Sequence, residues 1–101
     1  MNEKKIFSLI GLSMKAGKVV SGEFATEKAV KTGKAFLAIV AATASDNTKK
    51  KFRNMCDYYQ VPYMELGLKE ELGAAIGKEF RASLAITDEN LAAAIKKQMN
   101  V

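Results

Sequence analysis

Residues 19–42 read VVSGEFATEKAVKTGKAFLAIVAA, a stretch that combines a strand, a helix and a second strand. The two valines are typical of a short strand, and the turn at Ser21–Gly22 opens a helix that Gly33 ends. The run from 35 to 42 is apolar without alternation, which predicts a strand covered on both faces. A strand that turns at a glycine into a helix is also a common place to bind phosphate, because the helix start presents free backbone N–H groups.

Helices and strands alternate in the same way on either side of this stretch. The other predicted helices are Glu3–Lys15, a third helix that begins after a cap at Ser45 or Asp46, KEELGAAIG at 69–77, and ENLAAAIKKQM at 89–99, which Asp88 caps. The other predicted strands are VPYMEL at 61–66 and ASLAIT at 82–87. We therefore predict an α/β fold, a three-layer α/β/α sandwich around a small four-stranded mixed sheet, in a single domain over residues 1–101.

The third helix has one apolar stripe, formed by Phe52, Met55, Cys56 and Tyr59 at spacing i, i+3, i+4, i+7. Cys56 is the only cysteine and the chain has no histidine, so an intrachain disulfide is impossible and neither a zinc site nor a His-based triad is expected. Its position on the stripe predicts a packing residue rather than a nucleophile. Because GxGxxG, Walker and GxSxG motifs are also missing, we predict no enzymatic activity, no metal and no cofactor.

Three features of the sequence indicate a cytoplasmic protein without a membrane segment. A single cysteine suits a reducing compartment. The N-terminal residues Ile6, Leu9, Ile10 and Met14 follow helical spacing among polar residues, which predicts an amphipathic first helix rather than a signal peptide. No apolar run in the sequence reaches the length that a transmembrane helix needs.

The net charge of +5 is unevenly distributed along the chain. Residues 1–53 hold eleven Lys and Arg against four Asp and Glu, a net charge of +7, whereas residues 54–101 hold five against seven, a net charge of −2. A basic half of this kind favours an anionic partner, and nucleic acid is the first candidate. The alternative is that the lysines only face water.

The strand–turn–helix at the start of the second helix is the main candidate for an anion site. Gly22 lets another backbone approach closely, and Glu23 suits the positive end of the helix. Lys28 and Lys31 are spaced i, i+3 and share a face. The alternative is a plain turn followed by a solvated helix face. The predicted contacts here are Lys18, Ser21, Gly22, Glu23, Lys28 and Lys31.

A second candidate region is the segment GKEFRAS at 77–83, which precedes the last strand. Loops at one end of such a sheet cluster in space, and functional residues gather there. Lys78 and Arg81 suit phosphate binding, and Phe80 suits stacking on an unpaired base; the alternative is that Phe80 folds into the core. The run KKKFR at 49–53 lies on the outer face of its helix, where solvation or weak non-specific contact is expected.

Two motifs in this chain resemble those of a known family. One is the Gly…Lys pair that opens the second helix, and the other is LG-xx-xG-xxxR before the last strand, here Leu72–Gly73, Gly77 and Arg81. With SGEFATEKAVKTGKAFLAIVAATAS and YYQVPYMEL, they resemble the archaeal and eukaryotic ribosomal-protein family that binds kink-turn RNA (the L-seven-A-e and L-thirty-e types). The chain is similar above all to the small bacterial ribosomal-protein-like members, from about Phe7 to Leu91.

The resemblance implies an α/β/α sandwich that clamps a sharply bent RNA duplex. In the best-known members the second helix begins Gly-x-Asn-Glu-x-x-Lys, and its polar residues read the purines of tandem G·A pairs. Gly22 and Lys28 match this motif. Phe24 and Ala25 stand where the Asn and Glu would be, and Glu23 is one position away. The resemblance therefore implies RNA binding through backbone amides and Lys28, without the usual base-reading pair.

We predict a non-catalytic RNA-binding protein, associated with the ribosome, that recognises and stabilises kink-turn or similarly bent RNA. The start of the second helix and the loop before the last strand are the expected contact regions. The expected partner is ribosomal RNA or a structured mRNA element, without a membrane partner, and a monomer is favoured. The alternative is a protein-interaction module of the same fold that acts on ribosome or transcription machinery without direct RNA contact; the missing Asn–Glu pair favours it.

Overall fold

The computed structural model describes residues 1–99, and the predicted elements follow one another in the predicted order. The helices are α1 (Glu3–Lys15), α2 (Glu23–Lys31), α3 (Asp46–Tyr59), α4 (Lys69–Ala75) and α5 (Glu89–Met99). The strands are β1 (Val19–Ser21), β2 (Leu37–Val40), β3 (Tyr63–Glu65) and β4 (Ser83–Ile86). Among these described residues, no helix has both the length and the apolar character needed to cross a membrane.

The strand order across the sheet is β1-β4-β2-β3. β2 and β3 are parallel, while β4 lies between β1 and β2 and is antiparallel to both. The predicted mixed sheet is therefore confirmed. Because β4 runs against β1, the segment that leads into β4 lies beside the end of β1, where α2 begins. This topology brings the two predicted site regions to the same end of the sheet.

Side chains of different size alternate along the two central strands, β2 and β4, and this alternation sets how the helices pack. Ala38 and Ala85 lie in a small cluster with residues of α2 and with Cys56 of α3. These small side chains let α2 lie close to the sheet. The two helices α2 and α3 thus cover one face and α1, α4 and α5 the other, which confirms the three-layer sandwich. The large residues of β2 and β4 join α1, α4 and α5 in the main core: Leu37, Ile39, Leu84 and Ile86.

Side chains cap the starts of α1, α3 and α5. Ser45 Oγ accepts a hydrogen bond from the backbone N–H of Thr48 at 3.2 Å, and Asp88 Oδ2 accepts one from Leu91 at 2.9 Å, in agreement with the predicted caps. Asn2 caps α1 in the same way. The start of α2 has no side-chain cap. Its first backbone N–H groups are therefore left for another acceptor.

Two details differ from the sequence-based predictions. Ser21 does not open the second helix but is the last residue of β1, so Gly22 alone is the residue before α2. Tyr59 is 41% exposed, although it continues the apolar stripe on which Phe52 is buried. Tyr59 is the last residue of α3, and there it lines a surface groove beside Pro62 instead of entering the core.

Candidate nucleic-acid interface

The end of β1 and the start of α2 form an open backbone corner at Gly22. The N–H of Gly22 donates to the carbonyl oxygen of Ser83 at 3.0 Å, and its own carbonyl oxygen accepts from the N–H of Thr26 at 3.0 Å. Its φ is +94°, a value that strongly favours glycine. A Cβ at this position would meet no atom within 4 Å. Glycine is therefore favoured by the backbone conformation and not by a lack of space. The corner therefore leaves open space beside the backbone.

The first backbone N–H groups of α2 lack acceptors. Within residues 1–99, no side chain caps this helix, and no hydrogen bond joins the N–H of Glu23, Phe24 or Ala25 to a carbonyl oxygen. These groups carry the partial positive charge of the helix start. They are suited to the oxygen atoms of a phosphate. These N–H groups are therefore free to bind an acceptor from outside the chain.

Arg81 connects the start of α2 with the loop that precedes β4. Its Nε donates to Ser21 Oγ at 3.1 Å, and its Nη1 donates to the carbonyl oxygen of Phe80 at 2.8 Å. The side chain is half-buried, and these two hydrogen bonds hold the planar guanidinium in one orientation. Two regions that lie 60 residues apart in the sequence therefore form one continuous surface.

The loop before β4 is held firmly against α4. The N–H of Lys78 donates to the carbonyl oxygen of Gly73 at 2.8 Å, and the N–H of Arg81 donates to that of Lys69 at 3.0 Å. A Cβ at Gly73 would lie only 2.5 Å from the Cα of Phe80, so the close approach requires glycine. Phe80 itself is 57% exposed and does not fold into the core. The loop thus presents an aromatic ring on a fixed backbone, as base stacking requires.

The lysines near the corner have different surroundings. Lys28 and Lys78 are exposed, and within residues 1–99 neither has a carboxylate oxygen within 4.0 Å. Lys31 donates to Glu27 Oε2 at 2.8 Å, so its charge is already paired although it was expected to share a face with Lys28. Lys28 and Lys78 are therefore the lysines of this surface that are available for phosphates.

Lys18 lies at the opposite end of β1 from the corner. Its carbonyl oxygen accepts a hydrogen bond from the N–H of Thr87 at 2.8 Å, beyond the end of β4. Gly22 is four residue steps further along the extended chain, a span of about 13 Å. The structure thus does not bring Lys18 to the start of α2.

Residues of the basic run at 49–53 pair with acidic side chains of the protein. Lys51 Nζ lies 2.7 Å from Glu27 Oε1 and 3.3 Å from Glu23 Oε1. Arg53 likewise lies 2.9 Å from Glu65 Oε2. Lys51 and Arg53 are exposed, as expected for the outer face of this helix, and carboxylates of neighbouring elements also pair with them. One consequence is that Glu23 and Glu27 of α2 are neutralised from within the chain.

The pairing of Glu27 predicts a pH dependence of stability. Hydrogen bonds from Lys31 and then Lys51 lower the pKa of Glu27 from 4.5 to about 2. Because this pKa is lower in the folded state, the pairing stabilises the fold above about pH 4.5 and is lost as the pH falls toward 2. We expect Glu27→Gln to reduce the acid-induced fall in melting temperature slightly over this range, since Glu27 is partly exposed to water. Thermal denaturation followed by circular dichroism measures the melting temperature at each pH. Glu70→Gln, at an exposed position, is the control. Identical dependence of melting temperature on pH in wild type and Glu27→Gln would contradict the prediction.

Cys56 is buried among the residues beneath α2 and α3. Burial raises the pKa of its thiol to about 11, so the thiol is protonated at neutral pH and is a poor nucleophile. It is a packing residue, as its position on the apolar stripe predicts. Within residues 1–99, no three or more Cys, Asp or Glu side chains lie together as a metal site would require.

Phe24 lies next to this surface and was considered from the sequence only as a replacement for a polar residue. It is 81% exposed, whereas Ala29 and Val30 of the same helix are buried. With Lys28 and Thr32 it lines two shallow grooves on the outer side of α2. An aromatic residue off the buried stripe of a helix is the sequence signal that identifies such a position.

These features describe a small basic α/β/α protein. The start of α2 and the loop that carries Phe80 form one surface that is suited to bind anions. The chain belongs to the ribosomal protein L7Ae/L30e/S12e/Gadd45 family, whose model matches residues 4–96. The resemblance inferred from the two motifs is thereby confirmed.

Curated relatives cover nearly the whole chain. The "RNA-binding protein YlxQ" of Bacillus subtilis (strain 168) is 41% identical over 92 residues, which span 91% of this chain and 92% of the relative. The "Large ribosomal subunit protein eL30" of Candida albicans is 36% identical over 93 residues, with 86% and 84% covered. Both similarities extend through the helix start and the loop before β4.

Solved structures share the same fold. A protein of unknown function from Bacillus halodurans C superposes with a TM-score of 0.92 at 33% identity, over 96% of this chain and 98% of that chain. The Giardia lamblia 15.5kD RNA binding protein superposes with a TM-score of 0.84 at 25% identity, over 99% and 91%. The similarity thus includes both bacterial and eukaryotic structures.

Proposed function

We propose that the protein is a non-catalytic, ribosome-associated RNA-binding protein that recognises kink-turn or similarly bent RNA. Its family and the names of its relatives, which include RNA-binding and ribosomal proteins, support the RNA-binding part. The observation that carries the proposal is the hydrogen bond from Arg81 Nε to Ser21 Oγ at 3.1 Å. This bond joins the uncapped start of α2 to the loop of Phe80, so one RNA can contact both.

In this proposal, most contacts hold the RNA backbone. The free N–H groups after Gly22, together with Lys28, Lys78 and Arg81, bind phosphate oxygens, and Ser21 orients Arg81. Phe80 covers a base that the bend leaves unstacked.

The remaining predicted residues have lesser roles in the proposal. Lys18 and Lys31 contribute mainly to the positive field, since one lies at the far end of β1 and the other is paired with Glu27. Glu23 is held by Lys51 at 3.3 Å. Because Phe24 and Ala25 replace the family's Asn and Glu, contacts with the phosphates of the RNA backbone supply most of the affinity.

Trapping of a bent conformation is the proposed mechanism. A sharp bend brings RNA phosphates together, and their repulsion makes the bent state a minor one in the free RNA. A rigid surface that binds the phosphates only in their bent arrangement raises the population of bent RNA. The size of this shift is set by the difference between the protein's affinities for bent and unbent RNA. Neutralising phosphates also releases counterions, so binding weakens as salt rises.

Fluorescence energy transfer across a doubly labelled kink-turn RNA tests this function. We expect the wild-type protein to fold the RNA at low salt, and Lys28→Ala to weaken binding about fivefold and lower the salt slope by about 1. Lys97→Ala, an exposed lysine of α5 on the other face of the sheet, is the matched control and leaves both values unchanged. If neither the wild type nor Lys28→Ala folds the RNA at low salt, the proposal fails.

A second candidate function is a protein-interaction module of the same fold. The observation in its favour is Phe24, which is 81% exposed where the best-known family members carry a polar base-reading residue. Purification of the tagged protein from cell lysate, with and without ribonuclease, separates the two candidates. Partners that survive ribonuclease support the interaction module, and partners that ribonuclease removes support the RNA-binding function.

We further propose that residues 1–101 act as one domain, as a monomer, in the cytoplasm. The single, buried Cys56 suits a reducing compartment. Light scattering coupled to size-exclusion chromatography tests the monomer, which predicts the mass of one chain, 11.0 kDa.

A further inference from the structure

A groove of about 330 Å³ runs along the outer side of α2, between this helix and the edge strand β1. Phe24 forms one wall near the start of α2, and Lys28 and Thr32 continue this wall toward the helix end. Lys34 lies at the far end, and the floor is largely apolar. The groove begins at the second residue of α2 and is therefore continuous with the open corner at Gly22. Its other lining residues are Val20, Ala25, Ala29 and Thr87.

The charged side chains that line this groove are all positive. Lys28 and Lys34 are exposed, and within residues 1–99 neither has a carboxylate oxygen within 4.0 Å. Lys18 adds a third positive charge close by, because its backbone is hydrogen-bonded to Thr87, which lines the groove. The charge pattern therefore fits a chain with regularly spaced negative charges.

The acidic residues of α2 do not offset this charge. Glu27 is held by Lys31 at 2.8 Å and by Lys51 at 2.7 Å, and Glu23 is held by Lys51 at 3.3 Å. These ion pairs lie on the side of α2 that faces α3, away from β1.

We propose that this groove binds a single-stranded RNA segment that leaves the bent RNA, with one base stacked on Phe24 and its phosphates held by Lys28 and Lys34. An unpaired base is required, because the face of a paired base is covered by its neighbours in a duplex. The combination of an exposed aromatic ring with a positively charged groove is the usual arrangement for single-stranded nucleic acid. This inference rests on the proposed function and extends its RNA surface from the corner along α2.

Fluorescence anisotropy with matched RNAs tests the groove. A blunt kink-turn RNA is compared with the same RNA carrying a short oligouridine extension at one end or at the other. We expect one extension to tighten wild-type binding about tenfold, in the range of one base stacked on an aromatic residue. Phe24→Ala removes this gain, taken as the ratio of extended to blunt affinity within each protein, and Phe24→Tyr retains it. Phe24 is 81% exposed, so neither variant disturbs the core.

A charge variant gives an independent readout. Lys34→Ala is expected to lower the salt slope for the extended RNA by about 0.7, the value for one single-strand phosphate contact. The same variant leaves the slope for the blunt RNA unchanged, and Lys97→Ala leaves both slopes unchanged.

The possible failures are distinguishable. If the wild type binds the blunt RNA and neither extension adds affinity, the groove proposal is overturned and the proposed function stands. If it binds no kink-turn RNA, both fail. If Phe24→Ala weakens blunt and extended RNA equally, Phe24 belongs to the bent-RNA contact and not to a separate subsite. If no extension adds affinity and Phe24→Ala abolishes a ribonuclease-resistant partner, the groove binds protein instead.

Discussion

Gly73→Ala is expected to weaken binding of kink-turn RNA about a hundredfold, through loss of base stacking and of charged hydrogen bonds together. The new Cβ would lie 2.5 Å from the Cα and 2.6 Å from the N of Phe80. Both are backbone atoms, so the clash is relieved only when the loop before β4 moves away from α4. That movement displaces Phe80 and Arg81 from the start of α2. Binding therefore suffers although Gly73 contacts no RNA in the proposed complex.

The stability change of Gly73→Ala is expected to be smaller than its effect on binding. Overpacking costs about 1–3 kcal/mol, and alanine in a helix recovers up to about 1 kcal/mol relative to glycine. Gly11→Ala is the matched control, because it makes the same change in α1 with the Cβ 3.3 Å from the nearest atom, the carbonyl oxygen of Ala75. Anisotropy and thermal denaturation of both variants measure the two effects. Wild-type affinity in Gly73→Ala would show that the loop position does not matter.

Arg81→Ala is expected to weaken binding about thirtyfold. It removes a cationic group from the proposed phosphate surface and breaks the hydrogen bond to Ser21, and hydrogen bonds to charged groups contribute about 1.5–3 kcal/mol each. Arg81→Lys restores the charge but not the planar fork, so we expect an intermediate affinity. An affinity of Arg81→Lys equal to that of wild type would mean that charge alone matters.

A double-mutant cycle isolates the contact between Arg81 and Ser21. Ser21→Ala alone is expected to weaken binding about threefold through loss of the orienting bond, and to have no further effect in the Arg81→Ala background. Isothermal titration with the same kink-turn RNA measures all four proteins. Fully additive effects would show that Ser21 does not act through Arg81.

The order of elements was predictable because each segment carries its own pattern. The apolar run at 35–42 predicts a strand buried on both faces, and β2 (Leu37–Val40) is buried throughout. The caps at Ser45 and Asp88 follow from local hydrogen bonds that the sequence displays directly. Strand order was not predictable in the same way, since the place of β4 between β1 and β2 depends on long-range pairing that no local pattern encodes.

The candidate site was predictable in its regions and less so in its charges. The corner at Gly22 and the loop of Phe80 are local features, so the sequence identified both. Pairing of Lys31 with Glu27 was visible as i, i+4 spacing, but the approach of Lys51 from α3 was not, because it depends on how two helices pack. The solvent exposure of Phe24 was likewise not predictable, because it depends on which face of α2 is buried.

An amide-by-amide nuclear magnetic resonance titration of the isotope-labelled protein with a kink-turn RNA tests the central claim most directly. We expect the largest shifts on the amides of 22–25 and 78–81, the two segments that the Arg81–Ser21 hydrogen bond joins. The amides at 58–61, at the end of α3 and beside the groove of Tyr59, should remain unchanged and serve as the internal reference. Absence of shifts at saturating RNA, or shifts confined to 58–61, would contradict this claim.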